Sequence, residues 1–322
     1  MLVLTRWFRR ALVSGVCVAG LLGAGVVPAL ADPGDPPDPG IEEPGPPPPP
    51  PPAPDAPPPA EVPPVPAPVP TTPPPGAPPT GDVPPLPVGL LKNSPNNGDV
   101  VGVAQPITIV FAAPVTDKKA AEAAVKITTS KPAPGYFYWY TDQQLRWKPT
   151  QFWPANTDVN VNAGGTKWSF KVGDAFVSTV DDATYTMTVT RNGVVERTMP
   201  ISMGKHDKKH ETKNGTYYVS EKFQKMVMDS STYGVPVNSA EGYKLDVYWA
   251  TRLSNSGIFV HAAPWSVGAQ GKSDTSHGCI NVNTDNATWF FNQSHPGDPV
   301  IVKNSPGGPY KDYDGYDDWQ RF

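Results

Sequence analysis

Two short stretches decide the fold of the second half of the chain: Gly257-Ile258-Phe259-Val260-His261 and Ser276-His277-Gly278-Cys279-Ile280-Asn281. The first is a continuous apolar run, typical of a buried β-strand, which we expect to end at His261. The second begins fifteen residues after that histidine and contains a glycine that permits a tight turn. Together they predict that a histidine and a cysteine from separate elements meet at one place.

Cys279 is a candidate nucleophile. An unperturbed cysteine has a pKa of about 8.5, so the thiol needs a base or a positive environment before it attacks an amide carbonyl. His261 is the better candidate for that base, because the base usually comes from another element; His277, two residues before the thiol, is poorly placed. Gly278 permits a turn that aims consecutive N–H groups at one point, as a developing oxyanion requires.

Two other interpretations stay open on these residues alone: an inert buried thiol, and a zinc site made by Cys279 with histidines. Zinc needs further ligands, and neither a second cysteine nor a His-x-x-x-His pair accompanies the motif. His206 and His210 are four residues apart, but they lie in a charged stretch, residues 205–211, typical of a solvated loop. We therefore predict no metal site and no cofactor.

Residues 173–305 predict a β-rich domain around the motif. Asn192-Gly193 is a strong hairpin signal between two alternating stretches, and a second Asn-Gly at 214–215 precedes another strand. A single main helix is predicted over residues 285–293, capped by Asn283 or Thr284, followed by a closing strand over residues 299–302. The tail, residues 306–322, is expected to pack on the outside through Tyr310 and Trp319.

Residues 89–172 predict a separate small β-sandwich of the immunoglobulin-like kind. Period-two alternation recurs there in short stretches with turn signals between them, for example at residues 107–111, 136–140 and 158–162. The aromatic run at 136–140 could form a carbohydrate platform, but it is more typical of a strand that is half core and half surface. The fold class is thus all-β with one notable helix: an immunoglobulin-like β-sandwich followed by a second β-sandwich domain.

The first 31 residues predict an export signal. Three arginines at the start precede an uncharged apolar run, and Ala29-Leu30-Ala31 is the small-x-small pattern that signal peptidase needs. An uncleaved membrane anchor is the alternative, since the run is at the short limit for spanning a bilayer. Lipid attachment at Cys17 fits less well, because this residue lies inside the apolar run. Residues 32–88 follow as a proline-rich linker that we expect to be disordered and extended.

Cleavage after Ala31 would change both the charge and the cysteine count. Loss of three of the 26 basic residues leaves 23 against 30 acidic ones, a net charge of −7, which gives no reason to bind nucleic acid. Cys279 would remain as the only cysteine, so no internal disulfide could form. We predict an exported protein of the bacterial cell envelope or periplasm, tethered to the membrane only if the signal stays uncleaved.

From about residue 174 to 303 the sequence resembles the catalytic domain of the L,D-transpeptidases. The preceding sandwich and export signal are similar to the actinobacterial, mycobacterial-type members. The resemblance is carried by long and specific motifs: His261-Ala262-Ala263-Pro264-Trp265-Ser266, Ser276-His277-Gly278-Cys279-Ile280-Asn281, Met203-Gly204-Lys205, Asn214-Gly215-Thr216-Tyr217-Tyr218, Met228-Asp229-Ser230-Ser231-Thr232-Tyr233-Gly234-Val235-Pro236 and Trp265-Ser266-Val267-Gly268.

This resemblance implies a role for each matching residue. Cys279 would attack the carbonyl between a diaminopimelate residue and the terminal D-Ala of a peptidoglycan tetrapeptide stem, with His261 as general base. The acyl-enzyme would pass to the side-chain amine of a second stem, forming a 3→3 cross-link, and carbapenems would acylate the same thiol. His277, Gly278 and Cys279 would present N–H groups to the oxyanion. The expected substrate-binding residues are Ser276, Asn281, Tyr243, Met228, Tyr233 and Trp265, several of them on a flap at about residues 229–243.

Two departures from the family pattern are visible: Ala262, where close relatives often carry Ser, and Tyr248, where a more polar residue is expected. Neither is the nucleophile or the base. Two other function classes stay open. One is a peptidoglycan carboxypeptidase or endopeptidase that uses the same nucleophile; the other is a wall-binding protein with a degenerate catalytic domain, which would predict loss of Cys279 or His261.

Overall fold

The computed structural model describes residues 83–239, 241–311 and 313–321. The predicted export signal, residues 1–31, and all but the last six residues of the predicted linker lie outside the described residues. Among the described residues, none of the helices combines the length and the apolar character needed to cross a membrane.

The first domain is a sandwich of two four-stranded sheets. The period-two pattern of its strands buries alternate side chains, as in Thr157–Ala163, whose odd-numbered residues face the core. One sheet has the order β1-β3-β6-β5 and the other β2-β8-β7-β4. The strands are β1 (Leu90–Ser94), β2 (Val100–Val101), β3 (Ile107–Phe111), β4 (Val125–Thr129), β5 (Gly135–Thr141), β6 (Gln144–Pro149), β7 (Thr157–Ala163) and β8 (Thr166–Val172), and a short helix α1 (Lys118–Ala123) precedes β4.

The second domain is built from two further sheets, with the orders β11-β10-β9-β17-β12 and β13-β14-β15-β16. Its strands are β9 (Phe176–Asp181), β10 (Thr186–Arg191), β11 (Val194–Pro200), β12 (Gly215–Tyr218), β13 (Lys222–Asp229), β14 (Lys244–Arg252), β15 (Phe259–Ala262), β16 (Ile280–Val282) and β17 (Pro299–Lys303). The all-β fold class with an immunoglobulin-like sandwich in front is therefore confirmed.

Helix α2 (Thr284–Gln293) is the main helix, as predicted. Asn283 caps it, since its side chain accepts the Asn286 N–H at 2.8 Å. Ala287 and Phe290 face the core, one turn apart, and Phe290 stacks on Phe176 of β9 with ring centroids 6.0 Å apart. The helix thereby packs against the core of the second domain through Phe290 and Phe176.

Strands β15 and β16 position the site. They are paired in parallel, with His261 opposite Asn281 and Val260 opposite Ile280. β15 runs one residue beyond the predicted end, so that His261 lies inside a fully buried strand. Cys279 immediately precedes β16, and the sheet therefore fixes the relative position of the two motifs.

The tail packs on the two domains through Tyr310 and Trp319, as expected, although Pro306, Pro309, Lys311 and Tyr313 stay exposed. Tyr310 is fully buried and stacks on Tyr217 at 4.3 Å between ring centroids. The side chain of Trp319 donates to the Ala104 carbonyl of the first domain at 2.8 Å. Asp318 is fully buried and forms an ion pair with Arg146 of β6 at 2.7 Å. The tail therefore joins the two domains.

Candidate active site

A cavity of about 640 Å³ opens at the end of β15 and β16. It is lined by eight of the ten predicted site residues: Met228, Tyr243, His261, Trp265, Ser276, His277, Cys279 and Asn281. Of the other two, Gly278 lies within the motif, and Tyr233 ends a short 3-10 helix, Ser230–Tyr233, on the adjoining flap.

The Cys279 thiol lies at the floor of this cavity. Its side chain packs against a small apolar cluster that includes Met228, Val247 and Phe259. The thiol donates a hydrogen bond to the Gly257 carbonyl, with Sγ and O 3.4 Å apart. Part of the residue still reaches the cavity, but burial raises the pKa of the thiol to about 11. The resting cysteine is therefore a neutral thiol.

His261 is almost completely buried, and its ring orientation is fixed. The ring Nδ1 lies 2.9 Å from the Ala262 carbonyl oxygen, and since a carbonyl only accepts, Nδ1 carries the proton in the neutral ring. Nε2 is left with its lone pair. Burial also lowers the pKa of His261, which keeps the ring neutral at neutral pH, with Nε2 able to accept a proton. The family's frequent Ser at position 262 is thus not needed for this contact, which uses the backbone.

The motif loop is closed by Ser276. Its hydroxyl donates to the Cys279 carbonyl at 2.7 Å and accepts the Gly278 N–H at 3.0 Å. The Gly278 N–H, expected to face an oxyanion, is thus bonded to Ser276 in this structure. Gly278 has a φ of +124°, and a Cβ there would lie 2.9 Å from the Ile258 side chain, so only glycine fits the turn.

Asn281 contributes an unused acceptor to the site. Its side-chain N–H group donates to the Ser266 hydroxyl at 3.3 Å. Its Oδ1 is buried and has no hydrogen-bond partner among the described residues. Because a buried acceptor without a partner costs about 1–3 kcal/mol, this atom is suited to receive a donor from a bound substrate.

The base of the flap is held by Ser230, which sequence reasoning did not single out. The residue is 1% exposed. Its N–H donates to the Tyr243 carbonyl at 2.9 Å, while its hydroxyl accepts the Tyr243 N–H at 2.9 Å and donates to the Val235 carbonyl at 2.9 Å. One side chain thus ties both ends of the flap together.

Glu241, near the end of the flap, contacts His277 of the motif loop; the sequence did not predict this residue as part of the site. Its Oε2 lies 3.0 Å from Lys205 Nζ and 3.2 Å from His277 Nε2. The rings of His277 and His210 are 4.5 Å apart. His210 is only 8% exposed, so its assignment to a solvated loop was wrong. Besides Asp207, three residues earlier, its neighbours His277 and Glu241 come from distant parts of the chain, which residue spacing cannot reveal.

Trp265 lies at the rim of the cavity, and Tyr248 lies outside it. Trp265 is 58% exposed beside the cavity, with its ring 6.1 Å from that of His261. Tyr248 is 47% exposed on β14 and is not among the residues that line the cavity. The departure at Tyr248 thus does not touch the site.

Comparison with known proteins identifies both domains. Residues 175–302 match the L,D-transpeptidase catalytic domain family, and residues 87–166 match a bacterial Ig domain family. L,D-transpeptidase 2 of Mycobacterium tuberculosis is 47% identical over 239 residues, which are 70% of this chain and 58% of that protein. The chain therefore spans a little over half the length of this relative.

Other relatives are matched over most of their length. L,D-transpeptidase 1 of M. tuberculosis is 44% identical over 65% of this chain and 82% of that protein. Among solved structures, the L,D-transpeptidase LdtMt1 in complex with imipenem has a TM-score of 0.64 and 42% identity, covering 67% of this chain and 99% of that one. An L,D-transpeptidase from Mycobacterium smegmatis has a TM-score of 0.62 and 44% identity, covering 67% and 99%. With this extent of identity and the shared two-domain fold, the chain belongs to the L,D-transpeptidase family.

Proposed function

We propose that this protein is an exported cysteine acyltransferase that cross-links peptidoglycan stems. Cys279 takes the acyl group of a tetrapeptide donor, D-Ala leaves, and the side-chain amine of a second stem receives the group in a 3→3 cross-link. The observation that carries this proposal is the pairing of β15 and β16, which sets a neutral, oriented His261 beside the Cys279 loop in one cavity.

In the first step the sulfur attacks the carbonyl carbon of the peptide bond between the diaminopimelate residue and D-Ala. The thiol proton goes to Nε2 of His261, the carbonyl oxygen becomes an oxyanion, and a tetrahedral intermediate forms. The N–H groups of His277 and Cys279 are the donors that we assign to this oxyanion, since that of Gly278 is engaged by Ser276. Collapse breaks the C–N bond, and D-Ala leaves with the proton from His261, giving a thioester on Cys279.

In the second step the acceptor amine attacks the thioester. Its proton passes to His261, the C–S bond breaks, and the cysteine is regenerated as the new amide forms. Water would give hydrolysis at this stage instead. We expect the flap to exclude water. Ser230 holds it to Tyr243, and Glu241 holds it to His277.

Substrate binding and inhibition are proposed from the same cavity. Asn281 Oδ1 would accept a donor of the stem, and Tyr243, Trp265 and Met228 would contact its aliphatic part. Tyr233, in the 3-10 helix Ser230–Tyr233, stays a proposed substrate-binding residue. Since a relative has been solved in complex with imipenem, we expect carbapenems to acylate Cys279. Export to the cell envelope is part of this proposal, because the substrate lies outside the cytoplasmic membrane.

The test is intact mass spectrometry of the protein after incubation with a disaccharide-tetrapeptide, with Cys279→Ala as the control. We expect an adduct on the wild-type protein that has lost D-Ala, followed by a cross-linked dimer, and neither with the variant. Free tripeptide without dimer would indicate the hydrolase instead. A folded protein that gives no adduct and no product would overturn the proposal.

A further inference from the structure

Three side chains from separate segments meet at a second place, and none of the three lines the cavity described above. Asp182 begins a short 3-10 helix after β9, His206 follows the Met203-Gly204-Lys205 segment, and Asp274 lies two residues before Ser276. His206 Nε2 is 3.0 Å from Asp182 Oδ2 and 3.1 Å from Asp274 Oδ2. One nitrogen atom thus lies between two carboxylates.

The protons of this cluster do not suffice for its acceptors. Each carboxylate side chain is only 2% exposed. Asp274 Oδ1 accepts the Met203 N–H at 2.5 Å, but Asp274 Oδ2 and Asp182 Oδ1 are buried without a hydrogen-bond partner among the described residues. A single N–H on His206 cannot match two carboxylates, so without a cation a further proton must lie between them, since facing buried carboxylates repel each other. The arrangement lacks a positive charge at its centre.

We propose that Asp182, His206 and Asp274 form a structural zinc site. Zinc binds imidazole nitrogen and carboxylate oxygen at about 2.0–2.2 Å in a tetrahedron, which sets neighbouring ligand atoms roughly 3.3 Å apart. The three ligand atoms already lie within 4.8 Å of one another. His206 is 44% exposed at its side chain, so the ion can enter from solvent, and a water molecule can take the fourth position.

The ligand set favours zinc over the common hard cations. Ca²⁺ needs about six to eight oxygen ligands, and Mg²⁺ keeps several waters in an octahedral shell of oxygens. An imidazole with two carboxylates is a borderline set that suits Zn²⁺.

A second cluster, of His210, Glu241 and His277, offers ligand atoms at a similar separation but is a poorer site. Its only carboxylate, Glu241, is 42% exposed at its side chain and already pairs with Lys205 Nζ at 3.0 Å. His210 Nδ1 is bound to Asp207 Oδ2 at 2.6 Å. The charges of this cluster are therefore already matched, and it serves as an internal control.

The zinc ion would fasten the loop that carries the nucleophile. Lys205 N–H donates to the Ser276 carbonyl at 3.0 Å, so His206 and Asp274 lie at the two ends of one hydrogen-bonded crossing. Asp182 adds the end of β9 to this crossing. An ion bound here would join three segments of the domain, and this role does not depend on which acyl acceptor the enzyme uses.

The test is titration of the untagged full chain, freed of metal with a chelator, with zinc chloride alone, followed by calorimetry and thermal unfolding. All proteins carry Cys279→Ala, so that no thiolate competes for zinc. We expect one tight site per chain and a zinc-dependent rise in Tm in this parent protein. His206→Gln and Asp274→Asn should each weaken zinc binding by at least about 10-fold and abolish the rise in Tm.

His210→Gln is the matched control and should keep both the affinity and the rise in Tm. Asp274→Asn keeps the acceptor for Met203 and removes one of two facing charges, so we expect its metal-free Tm to be no lower than that of the parent. Loss of zinc binding can then not be ascribed to misfolding. Absence of saturable zinc binding in the parent, unchanged binding in both ligand variants, or loss in His210→Gln alone would each overturn the zinc site.

Discussion

At the level of single residues, the proposed catalytic pair, Cys279 and His261, is uncharged at rest. Burial raises the pKa of Cys279 to about 11 and lowers that of His261, so both shifts oppose a thiolate–imidazolium ion pair. The thiol proton must then move to Nε2 as the sulfur attacks. A neutral thiol also resists oxidation and stray alkylation, because the thiolate is the reactive form.

Replacing His261 by Gln should slow acylation of Cys279 by imipenem by about 10²–10⁴-fold, the usual contribution of a general base. The pH dependence should change as well. The wild type keeps its rate until the pH falls below the lowered pKa of His261, whereas the variant should gain rate steadily up to about pH 11, as thiolate forms directly. Stopped-time mass spectrometry from pH 5 to 10 measures both, and a variant with the wild-type rate at pH 7 would exclude His261 as the base.

Replacing Ala262 by Ser should change the acylation rate by less than about threefold, which corresponds to under ~1 kcal/mol in the transition state. The reason is that residue 262 holds His261 through its carbonyl oxygen, which every residue has. The same imipenem assay tests this. A larger gain would show that the missing hydroxyl matters.

Residue identities predicted which side chains meet, but not how the backbone is used. Cys279, His261 and Asn281 were identified from the motif, and they line one cavity. The sequence did not predict that the Ser276 hydroxyl, two residues away, accepts a hydrogen bond from the Gly278 N–H. Such local competition between side chain and backbone depends on the turn geometry, which the amino-acid sequence does not specify directly.

At the level of elements, the flap depends on one serine. Ser230 directly follows β13, which ends at Asp229, and it bonds to Tyr243, directly before β14, and to Val235 within the flap. Flap opening thus requires either a break in these bonds or a hinge beyond them. Glu241, two residues before Tyr243, adds a contact from the flap to His277.

Ser230→Ala should lower the free energy of unfolding by about 1–3 kcal/mol, since it leaves the Val235 carbonyl and the Tyr243 N–H without that partner. It should also raise the share of acyl-enzyme lost to water. The matched control is Ser239→Ala, whose exposed hydroxyl bonds only the Pro236 carbonyl within the same flap. Denaturation and the tripeptide-to-dimer ratio measure the two effects; equal effects from both variants would contradict the proposed clamp.

Elements with a strong local signal were predicted well. β3 (Ile107–Phe111) has the predicted bounds because its alternation is regular, and α2 begins at the predicted Asn cap. The Asn192-Gly193 turn joins β10 and β11 as expected. Helix α1 was not predicted, because six residues give too little periodicity to distinguish a helix from a loop.

At the level of the whole molecule, a buried ionic cluster joins the tail to both domains. Asp318 pairs with Arg146 of the first domain and accepts the hydroxyl of Tyr218 of the second domain at 2.7 Å. Tyr138 also donates to the same carboxylate. Backbone bonds from Gly102 to the Pro296 carbonyl and from Ala104 to the Gly297 carbonyl, both 2.8 Å, reinforce this junction.

Asp318→Ala should destabilise the protein by about 3–5 kcal/mol, because it leaves Arg146 buried without its counter-charge. We also expect calorimetry to resolve separate unfolding of the two domains. Asp142→Ala is the control, since the pair of Asp142 with Lys118 is exposed and worth at most about 1 kcal/mol. A single transition at the wild-type temperature in Asp318→Ala would contradict the role of this cluster.

Asp298 should make the stability of the junction depend on pH. Burial raises the pKa of its carboxyl to about 7, above the value in the unfolded chain, so the folded state holds the extra proton between about pH 4 and 7. The free energy of unfolding should therefore fall as pH rises through this window. Asp298→Asn should recover about 2–4 kcal/mol at pH 8 relative to pH 4.5, measured by denaturation with a chelator present. The pKa of Asp182 is also raised to about 7, so part of the pH dependence should persist in the variant. A pH slope equal to that of the wild type would contradict the assignment to Asp298.

At this scale the sequence predicted two domains but not their junction. Nothing in the composition of the tail distinguishes a buried strap from a loose end, since Asp, Gly and Tyr are common in both. Asp318 is recognisable as a core residue only once Arg146, 172 positions earlier, is known to face it. Contacts of this range lie outside any local pattern.

The ion pair of Asp318 also sets an order of assembly. A chain synthesised from its first residue completes the first sandwich before residue 318 appears. Until then the Arg146 guanidinium stays hydrated, and the two domains are joined without the buried ionic cluster, through backbone bonds such as those of Gly102 and Ala104. The buried ionic cluster thus forms last. A chain truncated before Asp318 would keep its Arg146 guanidinium exposed to solvent and without this counter-charge.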